Sequence, residues 1–261
     1  MALSLENLHR KKSDKPPRIV IYGRGGIGKT TLASEFPDPI FIQTDDGAGD
    51  IDITSFREEP LESLGLVAEA IDILLTQDHT FRTVVVDSLT KLEPLVWAEV
   101  CRVNKWSSIE DPGYGRGYIE ADEKWRWLLD GFNALRTAKN MTVIYLAHSE
   151  PVRVPNPDGD DYLKYAIRLN KRAEAMVRED VDIVGFLNDI KSVSSEGNAK
   201  GPKLGKASGS GQRVMYMQPR PTFEAKGRFD MPAQVLINPG EGYRALAPYL
   251  PGHRNTAARA A

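Results

Sequence analysis

The segment Arg18 to Phe36 constrains the fold more than any other part of the chain. It opens on Arg18-Ile19-Val20-Ile21-Tyr22, a short β-branched run with the composition of a buried strand. It then runs through Gly23-Arg24-Gly25-Gly26-Ile27-Gly28-Lys29-Thr30-Thr31 into a helical stretch that Pro37 and Pro39 stop. Gly23 to Thr30 satisfies the eight-residue phosphate-loop spacing, which chance supplies in a chain this long roughly once in a hundred sequences. A strand before the loop and a helix after it are the context that spacing requires. Glycines let the backbone turn so that its N–H groups converge on phosphate, and the start of the helix adds positive partial charge. In that frame Lys29 neutralises the β- and γ-phosphates of ATP, and the Thr30 hydroxyl holds Mg²⁺. The bland alternative is a glycine-rich turn that merely opens a helix.

Composition narrows the setting. A single cysteine, Cys101, permits no internal disulfide and no cysteine-rich zinc site, which fits a reducing compartment and apolar filling of a helix. The apolar runs are far shorter than the ~20 residues of a membrane span, so a cytoplasmic protein without membrane contact is expected. With 34 Lys plus Arg against 36 Asp plus Glu, the formal charge of -2 excludes an all-over basic coat but leaves room for local basic loops.

Along the chain, residues 1–17 read as a polar leader, 18–240 as one core and 241–261 as a C-terminal tail. Strands are predicted at Ile40 to Gln43, Thr83 to Val86, Met141 to Ala147, 181 to 187 and Val214 to Met217. Helices are predicted at about 61 to 76, 88 to 103, 121 to 139 and 168 to 180. Ser149 to Tyr165, with three prolines and Asp158-Gly159, reads as irregular. Residues 191 to 213 read as a flexible basic loop closing an antiparallel hairpin. Strands alternating with helices imply an α/β fold, a mainly parallel sheet flanked by helices with that hairpin at one edge.

Three strand ends carry further chemistry. Val84-Val85-Val86-Asp87-Ser88 ends a hydrophobic strand in a carboxylate. Such an Asp often caps the next helix, but beside a phosphate loop it becomes the Mg²⁺-side acid. Phe41-Ile42-Gln43 leads into Thr44, Asp45, Asp46 and Gly47, where a carboxylate can orient the attacking water, Asp45 being favoured over Asp46. His148 ends Val143 to Ala147, where a neutral imidazole can donate to the γ-phosphate and report its loss.

Together these residues resemble the RecA-like branch of the P-loop ATPases, and more narrowly the phage-type proteins of the fourth Sak class of single-strand annealing proteins. The resemblance spans 18 to about 240. It includes Glu224-Ala225-Lys226-Gly227-Arg228-Phe229, which looks like the Lys-Asn-Arg-Phe-Gly element of the bacterial RadA relatives, with Gly227 in place of Asn and Asp230 in place of Gly. The resemblance implies a RecA-like core and ATP hydrolysis at the interfaces of a homo-oligomeric ring or filament, with Lys226 and Arg228 reaching a neighbour's ATP. It also implies single-stranded DNA as partner, a single-stranded DNA-binding protein as a further one, and a bacterial or phage-infected host cytoplasm. Two DNA loops are implied, Lys105 to Glu120 with Trp106, Tyr114, Arg116 and Tyr118, and Ser149 to Tyr165 with Arg153 and Lys164. Lys200, Lys203 and Lys206 of the basic loop add electrostatic attraction. Acids interleave both loops. Rival classes are a small P-loop kinase, which would show an arginine-rich lid that the sequence lacks, and a nucleotide-switched loader that does not touch DNA. Of Trp125 and Trp127, at least one is expected in the core.

Overall fold

The computed structural model describes residues 14–47, 49–157, 159–194 and 206–251. Nine strands form one sheet: β1 (Arg18–Gly23), β2 (Pro39–Gln43), β3 (Thr83–Asp87), β4 (Thr142–Val154), β5 (Tyr162–Ile167), β6 (Ile183–Ser194), β7 (Lys206–Tyr216), β8 (Lys226–Gly227) and β9 (Gln234–Ile237). The order is β2-β3-β4-β1-β6-β7-β9, with β5 on β4 and β8 on β6. From β2 to β6 all neighbours are parallel, while β7, β8 and β9 run antiparallel at the far edge. The expected α/β architecture with an antiparallel edge hairpin is therefore present.

Helices cover both faces, which is why the central strands read as unbroken apolar runs and not as alternating ones. On one face lie α2 (Leu64–Thr76), α3 (Leu89–Asn104), α4 (Arg116–Ala138) and α5 (Lys171–Asp180), over Val20, Tyr22, Val84 and Val86. On the other, α1 (Lys29–Ser34) and α6 (Gly242–Leu246) cover Ile19, Ile21, Val85 and Ile144. Trp125 is 2% exposed in the larger core, whereas Trp127 on the same helix is 49% exposed. Cys101 is half-buried and packs against that core, the filling role expected of it.

Several boundaries differ from the sequence reading. Helix α2 starts at Leu64 because Ser63 caps it, accepting from the Leu66 amide at 3.3 Å, and Leu61 instead donates its amide to Gln43. Helix α4 begins at Arg116, five residues early, so Arg116, Tyr118 and Glu120 stand on a helix. Residues 149–154 and 162–165 are not irregular: β4 and β5 form an antiparallel arm, paired from Ser149↔Ile167 to Val154↔Tyr162. Its place at the margin of the sheet tolerates Pro151 within the strand. Much of the expected 191 to 213 loop is likewise strand, since β6 runs to Ser194 and β7 starts at Lys206.

Candidate functional site

Parallel strands bring their C-terminal ends to one edge. Gly23 pairs with His148, and Gln43 pairs with Asp87. The phosphate loop leaves β1 at this edge, with Gly26 at φ 71° and Gly28 at φ 94°, left-handed values that suit glycine. Lys29 is buried and folds back over its own loop, donating from Nζ to the Gly23 carbonyl at 3.3 Å and the Arg24 carbonyl at 3.1 Å. Burial lowers its pKa, against the opposing pull of Asp87 and Asp45. The Thr30 hydroxyl donates to Asp87 Oδ2 at 2.8 Å. Burial raises the Asp87 carboxyl, and the Thr30 bond and Lys29 charge counter that rise. Two hard oxygen donors in contact beside a loop of converging amides suit Mg²⁺, which takes few protein ligands and completes its shell with phosphate oxygens and water.

Of Asp45 and Asp46, only Asp45 lines the cleft, and Thr44 holds it there. Its Oγ1 accepts from the Ser88 amide at 3.0 Å and donates to the Ser88 carbonyl at 2.8 Å. Its amide and that of Asp45 both donate to the Asp87 carbonyl. This lock fastens the end of β2 to the end of β3 and turns Asp45 into the cleft, leaving Asp46 exposed outside it. Across the cleft, His148 Nε2 stands 3.8 Å from Asp45 Oδ2, beyond hydrogen-bond distance. Burial and the nearby Lys29 charge lower the imidazole pKa, so the ring is neutral at pH 7.

Gly26, Gly28, Lys29, Thr30, Thr31, Asp45, Asp87 and His148 thus share one cleft of about 240 Å³. A larger cavity, about 360 Å³ between α2, α3 and α4 and bordered by Trp127, holds Glu99, Glu123 and Lys124 but no part of the phosphate loop. Sequence reasoning missed Arg168. Its amide donates to the His148 carbonyl at 2.8 Å, its own carbonyl accepts from Thr90, and Thr90 Oγ1 also receives the His148 amide. No local motif marks it; only the pairing of the β4–β5 arm brings it to His148.

The remaining residues singled out in the sequence lie elsewhere. Lys226 and Arg228 sit at the opposite, N-terminal edge of the sheet, because β8 pairs with the start of β6. Lys226 Nζ is tied to the carbonyls of Arg178, Glu179 and Val181 at the end of α5, the place where a cation best meets unpaired helix carbonyls. Arg228 pairs with Asp182 at 3.2 Å and is half-exposed. Trp106 packs on the main core, and Tyr118 meets Trp97 edge-on while donating to Glu110. Arg116 and Tyr114 are exposed, the latter fully, between Gly113 and Gly115 at left-handed φ. On the arm, Arg153 pairs with Asp161 at 2.8 Å, and Lys164 pairs with Glu224 at 2.5 Å. Lys200 and Lys203 lie outside the described residues, and of Lys206 only its place at the start of β7 is described.

A family model described as an AAA domain matches residues 15–229. No curated protein sequence matches significantly. Among solved structures, the chain is similar to the RadB recombinase, with 15% identity over 87% of this chain and 90% of that one, at a TM-score of 0.47. It is also similar to the flagellar accessory protein FlaH from Methanocaldococcus jannaschii, with 10% identity over 86% and 85% of the two chains, at a TM-score of 0.40. Among the described residues, no helix is long and apolar enough to cross a membrane.

Proposed function

The chain belongs to the AAA domain family, and from that premise we propose that it is a RecA-core ATPase that binds single-stranded DNA and promotes its annealing or strand exchange. The observation that carries the ATPase part is the meeting of Lys29, Thr30 and Asp87 on one side of a cleft whose other side holds the Asp45–His148 pair. Lys29 has only carbonyls to leave when phosphate arrives. Asp45 is the base that orients and deprotonates water, and neutral His148 donates to the γ-phosphate. Thr30 and Asp87 would hold Mg²⁺, whose chemistry there is to neutralise charge developing on the β- and γ-oxygens.

Release of the γ-phosphate frees His148, and through its main-chain bonds to Thr90 and Arg168 the change reaches both the start of α3 and the base of the β4–β5 arm. DNA contact in this scheme falls to Tyr114 and Arg116, with Lys206 at the start of β7 supplying charge. Hydrolysis at subunit interfaces is part of the same proposal. Arg228, half-exposed, is better placed than the thrice-bonded Lys226 to act on a neighbour.

A second reading, a nucleotide-switched loader that leaves DNA to a partner, is favoured by the engagement of Arg153 and Lys164 in ion pairs. Titration of labelled single-stranded DNA at several salt concentrations, with and without ATP, separates the two. Binding that weakens with salt and depends on nucleotide is expected; no binding at low salt removes the annealing function and leaves the loader.

A further inference from the structure

The β6–β7 hairpin touches the phosphate loop at two points. Asp189 of β6 and Arg213 of β7 lie opposite each other in the ladder, where a carboxylate and a guanidinium would ordinarily pair across the strands. They do not pair with each other. Asp189 instead takes Arg24 at the start of the loop, Nη2 to Oδ2 at 2.7 Å. Arg213 turns to the other end of the loop, where Nη1 donates to the Ile27 carbonyl at 3.4 Å. It occupies space left open by Gly28: a Cβ on that residue would collide with Nη1. That one long bond is its whole pairing among the described residues, so the partly exposed guanidinium keeps its other donors open to solvent beside a loop built to gather anionic oxygens.

We propose that Arg213 is a second cation of the nucleotide site, carried in cis by the hairpin. With a nucleoside triphosphate in the loop, its guanidinium exchanges the Ile27 carbonyl for polyphosphate oxygens on the Gly28 flank, a charge-assisted contact in place of a weak neutral one. This rests on the loop holding ATP, as proposed above. Because Asp189 on the facing strand holds Arg24, filling the loop draws on both strands of the hairpin, and β7 becomes sensitive to nucleotide.

The test compares affinities for a fluorescent ATP analogue, with Lys29→Ala as the non-binding reference. Arg213→Gln keeps a donor for the Ile27 carbonyl without charge, whereas Arg213→Lys keeps charge without the fork. A phosphate contact is expected to make Gln and Ala variants bind about tenfold or more weakly, with Lys nearer the wild type. Wild-type affinity in Arg213→Gln would overturn the proposal, reducing Arg213 to a brace on the loop. Equal, negligible binding by wild type and Lys29→Ala would overturn the nucleotide assignment itself, and this proposal with it. Should substitution unfold the chain, the wild-type protein still decides: phenylglyoxal modification of Arg213, read by peptide mass spectrometry, is expected to fall when ATP is added. Modification at the same rate with and without ATP overturns the proposal.

Discussion

Replacing Asp182 with asparagine is expected to destabilise the fold by about 3 kcal/mol without weakening ATP binding. Asp182 is 5% exposed at the N-terminal edge of the sheet, the far side from the phosphate loop. It accepts the Arg18 amide at 3.0 Å and ion pairs from Arg18 at 3.1 Å, Arg136 at 3.3 Å and Arg228 at 3.2 Å. The Arg18 and Arg136 side chains are only 11% and 13% exposed, so losing the carboxylate strands two buried cations. Such a loss costs about 3 to 5 kcal/mol. Two features favour the lower end: Asp180 still holds Arg18 at 2.7 Å, and the half-exposed Arg228 pair contributes at most about 1 kcal/mol. With an unfolding entropy of roughly 0.5 kcal/mol per degree for a chain of this length, Tm should fall by about 6 °C. Thermal melts followed by circular dichroism measure it.

The pH dependence has a fixed sign. Burial alone would raise the Asp182 carboxyl, but the Arg18 hydrogen bonds and the charges of Arg18 and Arg136 outweigh it and hold the pKa below its ordinary value. The stabilisation is therefore present above the unfolded pKa of about 3.9 and is lost as pH falls through the folded value. The gap in Tm between wild type and Asp182→Asn should stay constant from pH 8 to pH 5 and close in stronger acid. A gap under about 2 °C at pH 7, or one that widens toward acid, refutes the reasoning.

Glu93 gives the opposite profile: burial raises its carboxyl from 4.5 to about 7 even though it accepts the Asn170 amide. Its contribution is present below the unfolded value and lost as pH rises through about 7, so wild-type Tm should drop between pH 5 and pH 8 more than that of Glu93→Gln, and parallel melting profiles would contradict this. Tyr114→Ala should leave Tm unchanged, since the ring is fully exposed, while weakening single-stranded DNA about fivefold or more if the ring stacks on a base; unchanged affinity removes Tyr114 from the DNA surface.

Much of the site is legible in the sequence because its signals are local. Gly23 to Thr30 must follow a strand and open a helix, and Val84 to Asp87 is too uniformly apolar to be anything but a central strand. That Asp45 and not Asp46 lines the cleft has a tertiary reason: the Thr44 lock onto Ser88 joins residues far apart in the chain. The misreadings fall where punctuation residues outvote period. Pro151 and Pro155 hid the alternation of β4, and glycine and serine hid the strand ends of 191–194 and 206–213, where pairing across the ladder decides the conformation. The early start of α4 follows from Gly115, whose left-handed φ turns the chain just before Arg116. Arg168 and Arg213 carry no local pattern at all, since register alone delivers them to the nucleotide edge.

ATP turnover by wild type and Asp45→Asn, alongside the affinity of each for an ATP analogue, tests the hydrolytic site most directly. With Lys29, Thr30 and Asp87 intact, the variant should bind nucleotide within about threefold of wild type while hydrolysing it some 10² to 10⁴ times more slowly. Hydrolysis at the wild-type rate by Asp45→Asn, or no Mg²⁺-dependent hydrolysis by the wild-type protein, would contradict the assignment.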